Sequence, residues 1–345
     1  MPRLSIFTLA FLMLTLSQCD GKSLIKTNFN RIALCSNIPS FLRKNTYLRH
    51  CAGDVVLMSI LYNGTRLATS ECQHQFQMRP WNCSSSPESL PKIVSHAFPQ
   101  TAYLFAIHSA GVAYSLAHAC SSGLIKNCKC QKKAVEKVNK NEGTVVEKTE
   151  CAKKSIRYGI QEAERLLKNV KETDTRWLVD EHNKRAGRLA FAAHESKENI
   201  NCRCHGVSGA CAVKKCVQNL PKVRDISDFL LAKYKSAIQV GTDNYGKKLI
   251  PSKKTFKEPT AQDLVFLEKS PGFCNKNSAY GILGTKGRAC NKDDPGPTGC
   301  KVLCCNRGFK TVVEVKTVPC NCKFEYCCDI TCETCKKAVT THICN

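Results

Sequence analysis

Twelve cysteines crowd the 71 residues from Cys274 to Cys344, and a segment so short, polar and sulfur-rich cannot close around a hydrophobic core of its own. Cross-links must hold it. Twelve more are spread from Cys35 to Cys216 among long helical patterns, so that stretch is long enough for an ordinary core and reads as a separate domain. The twenty-fifth, Cys19, closes a leader-like N-terminus in which Arg3 precedes the apolar run Ser5–Leu16 and Ser17, Gln18 and Cys19 follow at cleavage spacing. The run has twelve residues where a membrane-spanning helix needs about 20. Residues 1–19 therefore read as a secretory signal peptide. Cleavage after Cys19 leaves 24 cysteines, an even number for an oxidising compartment, with room for twelve disulfides. The spacing Cys332–Cys335 (CETC) also occurs in zinc modules, but secretory thiols oxidise and no second ligand pair completes a tetrahedral site. No metal is expected.

The formal charge is +24, or +23 once Arg3 leaves with the leader, and such an excess faces an anionic partner. For a secreted chain the candidates are sulfated glycans such as heparan sulfate and membrane headgroups; nucleic acid is out of reach. The basic residues cluster at Lys129, Lys132, Lys133, Lys137 and Lys140, and again at Lys247, Lys248, Lys253, Lys254 and Lys257. Solvated lysines that only keep the protein soluble are the plainer reading. Two sequons, Asn63-Gly64-Thr65 and Asn82-Cys83-Ser84, fit a glycosylated exterior.

Apolar periodicity predicts helices at Thr101–Ala119, buried nearly all round and stopped by Cys120-Ser121-Ser122-Gly123, at Ile156–Val170, at His182–His194 and at Asp225–Val240. In the last, Asp225 and Ser227 offer caps, and Ile226, Phe229, Leu230, Tyr234 and Ile238 share a face. His108 and His118 are ten residues apart, off one another's face, and read as core or rim histidines. Residues 241–262, with glycine, proline and lysine but little periodicity, read as a linker. Beyond Cys274 the alternation in Phe309–Val318 (FKTVVEVKTV) reads as strand hairpins pinned by disulfides. The fold class is α+β and disulfide-rich: a helical domain at 20–240, the linker, and a cysteine-rich domain of β-hairpins at 263–345.

The stretch Asn201–Cys216 reads NCRCHGVSGACAVKKC, four cysteines around a Gly-Val-Ser-Gly turn. Ser208 is presented at the tip of a small cross-linked hairpin. Gly206 and Gly209 permit the tight turn and leave the hydroxyl unshielded. A hydrolase elbow is excluded because G-x-S-x-G needs glycine at 210, where Ala210 stands. No catalytic residue is assigned, and His205 reads equally as a participant in acyl transfer or as packing against the turn.

Six stretches carry a resemblance: CQHQFQMRPWNC at 72–83, IHSAGVAYSLAHACSSG at 107–123, HNKRAGR at 182–188, CRCHGVSGAC at 202–211, GILGTKGRAC at 281–290 and CNCKFEYCCDITCETC at 320–335. With the cysteine complement, the chain resembles a Wnt, a secreted lipid-modified signalling glycoprotein, over essentially the whole mature sequence. The resemblance implies a helical domain with a thumb-like hairpin (about 201–216) and a cysteine-rich domain with an index-finger hairpin (about 320–335), which together grip the cysteine-rich domain of a Frizzled receptor. It implies that Ser208 carries palmitoleate and that the finger tip is Phe324, Tyr326, Cys327, Cys328 and Ile330. It pairs Cys202 with Cys216, Cys204 with Cys211, Cys72 with Cys83, Cys120 with Cys128 and Cys130 with Cys151. In the second domain it pairs Cys274 with Cys305, Cys290 with Cys300, Cys304 with Cys344, Cys320 with Cys335 and Cys322 with Cys332, with Cys327 and Cys328 as a vicinal pair. Cys35 and Cys51 are left to join each other.

A chain of this kind is no enzyme and holds no cofactor beyond its covalent lipid. Its implied partners are Frizzled, a lipoprotein-receptor-related coreceptor near 241–262, the Porcupine acyltransferase, the Wntless carrier and heparan sulfate, and its place is the extracellular space and matrix. Several positions depart from the family pattern: Ala210 for serine, Val217 and Tyr326 for tryptophan, and Thr149-Glu150-Cys151 for Gly-Gly-Cys after a lysine-rich insert. The rival reading is a basic matrix protein in which Ser208 is only a turn residue.

Overall fold

The computed structural model describes residues 54–84, 86, 89–128, 134–139, 144–149, 151–168, 174–195, 200–205, 213–296, 298–325 and 329–345. The leader, the Cys35–Cys51 pair, Cys130, Cys211, Cys327 and Cys328 lie outside these residues. The chain divides into two compact units, Met1–Glu71 with Ala97–Lys269, and Cys72–His96 with Ser270–Asn345. Residues 72–96 are expected in the helical domain, but they group with the second unit, to which the hydrogen bonds of Arg288 to the carbonyls of Gln77, Arg79 and Pro80 tie them. No described helix is long and apolar enough to cross a membrane.

The first unit is built around one helix. Helix α1 (Val55–Phe76, its last turn in the second unit) and α3 (Pro99–Ser121) are followed by α4 (Ala152–Leu167), α5 (Thr175–Ala193) and α6 (Val223–Lys235); the short α2 (Leu90–Ile93) belongs to the second unit. In α3 Pro99 stands in the first turn, where its missing N–H costs nothing. Gly123 at φ +83° ends it: Leu124 N–H reaches the Ala119 carbonyl and Gly123 N–H that of Cys120. That double closure is a Schellman cap, the stop read from the sequence.

Three neighbours approach α3 at glycines. A Cβ on Gly64 of α1 would lie 2.8 Å from the Gly111 carbonyl oxygen, on Gly159 of α4 2.2 Å from that of Ala113, and on Gly187 of α5 1.9 Å from that of Ala106. Backbones in such contact admit no side chain there. Helix α1 was not expected, although Met58, Leu61, Thr65, Ala68, Cys72 and Phe76, all buried, recur at spacings of three and four.

The motif HNKRAGR is accounted for by packing. On α5, Asn183 exchanges two hydrogen bonds with the Val265 backbone (2.9 and 3.0 Å), and His182 bonds the Asp263 carbonyl. Buried Lys184 donates to the Leu167 carbonyl at the end of α4 and to Glu181, a cation where the helix dipole is negative. Gly187 meets Ala106, and Arg188 donates to Ser109 of α3. Burial lowers the Arg188 pKa.

The helix expected through Val240 stops at Lys235. Ile238–Thr242 is strand β5, parallel to β7 (Val265–Phe266) and antiparallel to β6 (Leu249–Pro251). Ile238 and Val240 bury in a cluster with Ala97, Val179 and Val265, so the sheet rather than the helix face takes the β-branched side chains. Neither expected cap forms: Lys222 is the N-cap, and Ser227 is buried against the Tyr103 hydroxyl at 3.0 Å. The supposed linker is thus partly sheet. Its end is fixed by Asp263, whose carboxylate receives Lys233, Lys257 and Thr260. Burial opposes ionisation of Asp263, but these donors outweigh it and hold the carboxyl well below the usual range.

The second unit depends on sulfur. Among the described residues it holds Cys72–Cys83, Cys274–Cys305, Cys290–Cys300, Cys304–Cys344, Cys320–Cys335 and Cys322–Cys332; Cys120–Cys128 and Cys202–Cys216 lie in the first. All eight are pairs that the resemblance implies. Its small core is Cys290, Cys300, Leu303, Cys304 and Cys344, with Cys304 Sγ 3.5 Å from Cys290 Sγ. Elsewhere in the unit, Phe76 meets Trp81 edge-on at 4.7 Å, and Arg288 donates to the carbonyls of Gln77, Arg79 and Pro80.

Candidate functional site

Two hairpins stand out from these frames. The first joins β3 (Ile200–His205) to β4 (Val213–Gln218), with Cys202 directly opposite Cys216 and disulfide-bonded to it. Residues Asn201–His205 are all exposed while Cys216 is buried, so cross-link and ladder rather than burial of its own side chains hold β3. Cys204 is also disulfide-bonded. Ser208, Gly206 and Gly209 fall in 206–212, outside the described residues.

This hairpin is not alone. The lysine-rich insert forms strands β1 (Ala134–Asn139) and β2 (Thr144–Thr149), and β2 runs parallel to β4 with Val145 opposite Val213 and Thr149 opposite Val217. The sheet order is β1-β2-β4-β3. Nothing local announces that pairing. Its partners lie 68 residues apart, with α4, α5 and β3 between them in the chain.

The second hairpin pairs β9 (Phe309–Glu325) with β10 (Asp329–Cys344). Cys304–Cys344 pins its base, where β8 (Ala289–Cys290) adds a short third strand; Cys320–Cys335 and Cys322–Cys332 clamp its outer half. A bulge between Thr331 and Glu333 faces Asn321, which sits at φ +48° and bonds Glu333 through its side chain at 2.8 Å. The bulge sharpens the local twist. Beyond it Phe324 and Ile330 stand opposite each other, 72% and 68% exposed. Two large apolar side chains left in water side by side on cross-linked strands form an exposed apolar pair of a kind that calls for a reason. Tyr326, Cys327 and Cys328 lie outside the described residues.

The remaining candidates are scattered. Cys290, Cys304 and Cys344 come within metal-binding distance, but Cys290 is joined to Cys300 and Cys304 to Cys344, so none is a thiolate. Cys332 and Cys335 are likewise in disulfides. His108 is buried, bonded to the Leu104 carbonyl and near Thr69, and burial lowers its pKa to about 4. It is a neutral core histidine, in keeping with the sequence. His118 is an exposed rim residue stacked on Tyr114.

Of the first basic cluster only Lys137, in β1, is described. The second is exposed on the segment after β5, where Lys248 approaches Glu258 at 3.7 Å and Lys257 bonds Asp263. Asp243 accepts the amides of Lys247 and Lys248, closing a turn that leaves Tyr245 84% exposed. Asn63 is exposed on α1 and Asn82 is half-buried beside Cys83.

The Wnt family model matches residues 41–345. A chain in the solved complex of human WLS with WNT8A is 30% identical, covering 85% of this chain and 95% of that one at a TM-score of 0.60. The Drosophila WntD N-terminal domain-linker structure is 22% identical over 63% of this chain and 98% of that one, with a TM-score of 0.43.

Proposed function

The chain belongs to the Wnt family, a family of signalling ligands rather than enzymes, and from that premise we propose that it is a secreted, acylated ligand of Frizzled receptors. The observation that carries the reading is the pair of solvent-borne, disulfide-stiffened hairpins, one with Ser208 between its two strands in the sequence and the other with Phe324 and Ile330 at its end. A lipid-bearing hydroxyl needs access for Porcupine and a rigid mount that later aims the chain. The β3–β4 hairpin supports both.

Magnitudes rank the contacts. Burying a sixteen-carbon palmitoleoyl chain at about 0.8 kcal/mol per methylene yields on the order of 10 kcal/mol gross, whereas Phe324 or Ile330 yields roughly 1.5–3 kcal/mol if fully buried. Association takes back much of the total. The lipid still contributes more than any side chain. Wntless is assigned as the carrier of the chain during secretion, a reading supported by the likeness to a structure containing WLS. Tyr245 on its capped turn is assigned to a coreceptor, and the exposed lysines at 247–257 to heparan sulfate.

Ser208→Ala decides the matter: it is expected to be secreted yet to signal poorly, and the wild-type peptide containing Ser208 to carry an acyl adduct by mass spectrometry. Full receptor activation by the variant, or active material with a bare serine, overturns the proposal in favour of a matrix protein.

A further inference from the structure

On the first unit a groove of about 740 Å³ runs between α1 and the C-terminal half of α3, lined by Ile60, Asn63, Leu67, Tyr114, His118 and Leu124 among others. The volume is that of a small-ligand site. Its walls are of two kinds. Tyr114 and His118 stack at 6.4 Å and 22°, giving an amphipathic ring surface, and Leu124 leaves 62% of itself in water. Arg66, Ser70 and Ser115 add hydrogen-bonding groups. Ring faces with a polar margin suit a sugar, which has an apolar C–H face and a hydroxylated edge.

The occupant is indicated by Asn63, the acceptor of a sequon and itself a wall residue. We infer that the groove seats the innermost sugars of an N-glycan on Asn63. A tethered ligand sits at an effective concentration in the millimolar range, so a weak sugar–ring contact is enough to fill the site. The other sequon supplies a contrast: Asn82 lines a hollow of about 370 Å³ with Gln73, Gln77, Ser84 and Ser86 and no ring. A glycan there stays in water.

The folded helix sets the order of events. Thr65, whose hydroxyl an acceptor sequon must offer, is buried with Oγ1 bonded to the Tyr62 carbonyl at 2.8 Å, and Gly64 lies against Gly111. The sugar is therefore attached before α1 packs on α3, and the groove forms beside it.

The test is release of the glycan by peptide-N-glycosidase F from natively folded secreted protein, followed site by site by mass spectrometry. Release at Asn63 is expected to be about tenfold slower in wild type than in Tyr114→Ser, as 1.4 kcal/mol of protection would give. Leu124→Ser changes an exposed side chain and keeps the backbone N–H that caps α3, so it keeps the test open should Tyr114→Ser fail to fold. An unmodified Asn63, or equal rates in wild type and Leu124→Ser, overturns the inference. Neither outcome touches Ser208, whose acylation enters nothing that is measured.

Discussion

The helices around α3 and the hairpin of β9 and β10 solve the same problem by opposite means. In the helical unit, glycines let backbones touch, and burial of Leu61, Ile107, Leu116 and Phe191 does the holding. In the finger, strands exposed along most of their length are held by cross-links at base and outer half. Stability from packing can be lost at one atom, whereas stability from sulfur is lost only with the bond. A surface can therefore stay apolar and exposed at Phe324 without endangering the fold beneath it.

Removing sulfur from one side puts this contrast under the greatest load. Cys304→Ser with Cys344→Ser is expected to cost the second unit about 2–5 kcal/mol, read as lost hydrogen-exchange protection in β9 and β10 with α3 to α5 unaffected. Equal losses in α3 would show that the units do not stand apart energetically. Next, Gly187→Val drives a branched side chain into the Ala106 backbone and is expected to cost about 3 kcal/mol. Gly241→Val, with nothing within 4 Å of its Cβ, should stay within about 0.5 kcal/mol; thermal unfolding of the two variants tests the claim.

Acid probes the helical core separately. The folded pKa of His108 is lowered to about 4 from 6.5, so between those values the unfolded chain binds the extra proton. Stability from neutral His108 is present above pH 6.5 and falls towards pH 4, by on the order of 3 kcal/mol. Asp263, held low, weakens only below 3.8. Urea midpoints across pH 7 to 4 should decline in wild type and less steeply in His108→Gln, where His182, its pKa also lowered by burial, still titrates; an unchanged slope would discount His108. The smallest effect is at the tip: Phe324→Ala or Ile330→Ala should leave stability within about 0.5 kcal/mol and weaken Frizzled binding by about 1–2 kcal/mol, measurable by surface plasmon resonance.

Legibility follows the distance over which each feature is determined. The α3 stop is readable because Gly123 and the residues before it form the cap themselves. Helix α1 has its apolar period at 58, 61, 65, 68, 72 and 76, but the sequon and the disulfide signal in the same stretch obscure it. Ile238 fits a helical face with Tyr234, and only Val265, brought alongside by α5, makes it a strand residue. For the hairpins, Asn201–Cys216 exposes the chemistry and the family likeness supplies the disulfide partners. The pairing of β2 with β4 has no local cue at all.

That pairing bears on the order in which the molecule is made. Strand β2 leaves the ribosome long before β4, so the lysine-rich hairpin can be complete and waiting as a template when the serine-bearing segment emerges. Contacts this far apart along a chain form slowly. The strand that follows Ser208 is thus among the last pieces to settle in its unit, and its timing depends on a hairpin made 68 residues earlier.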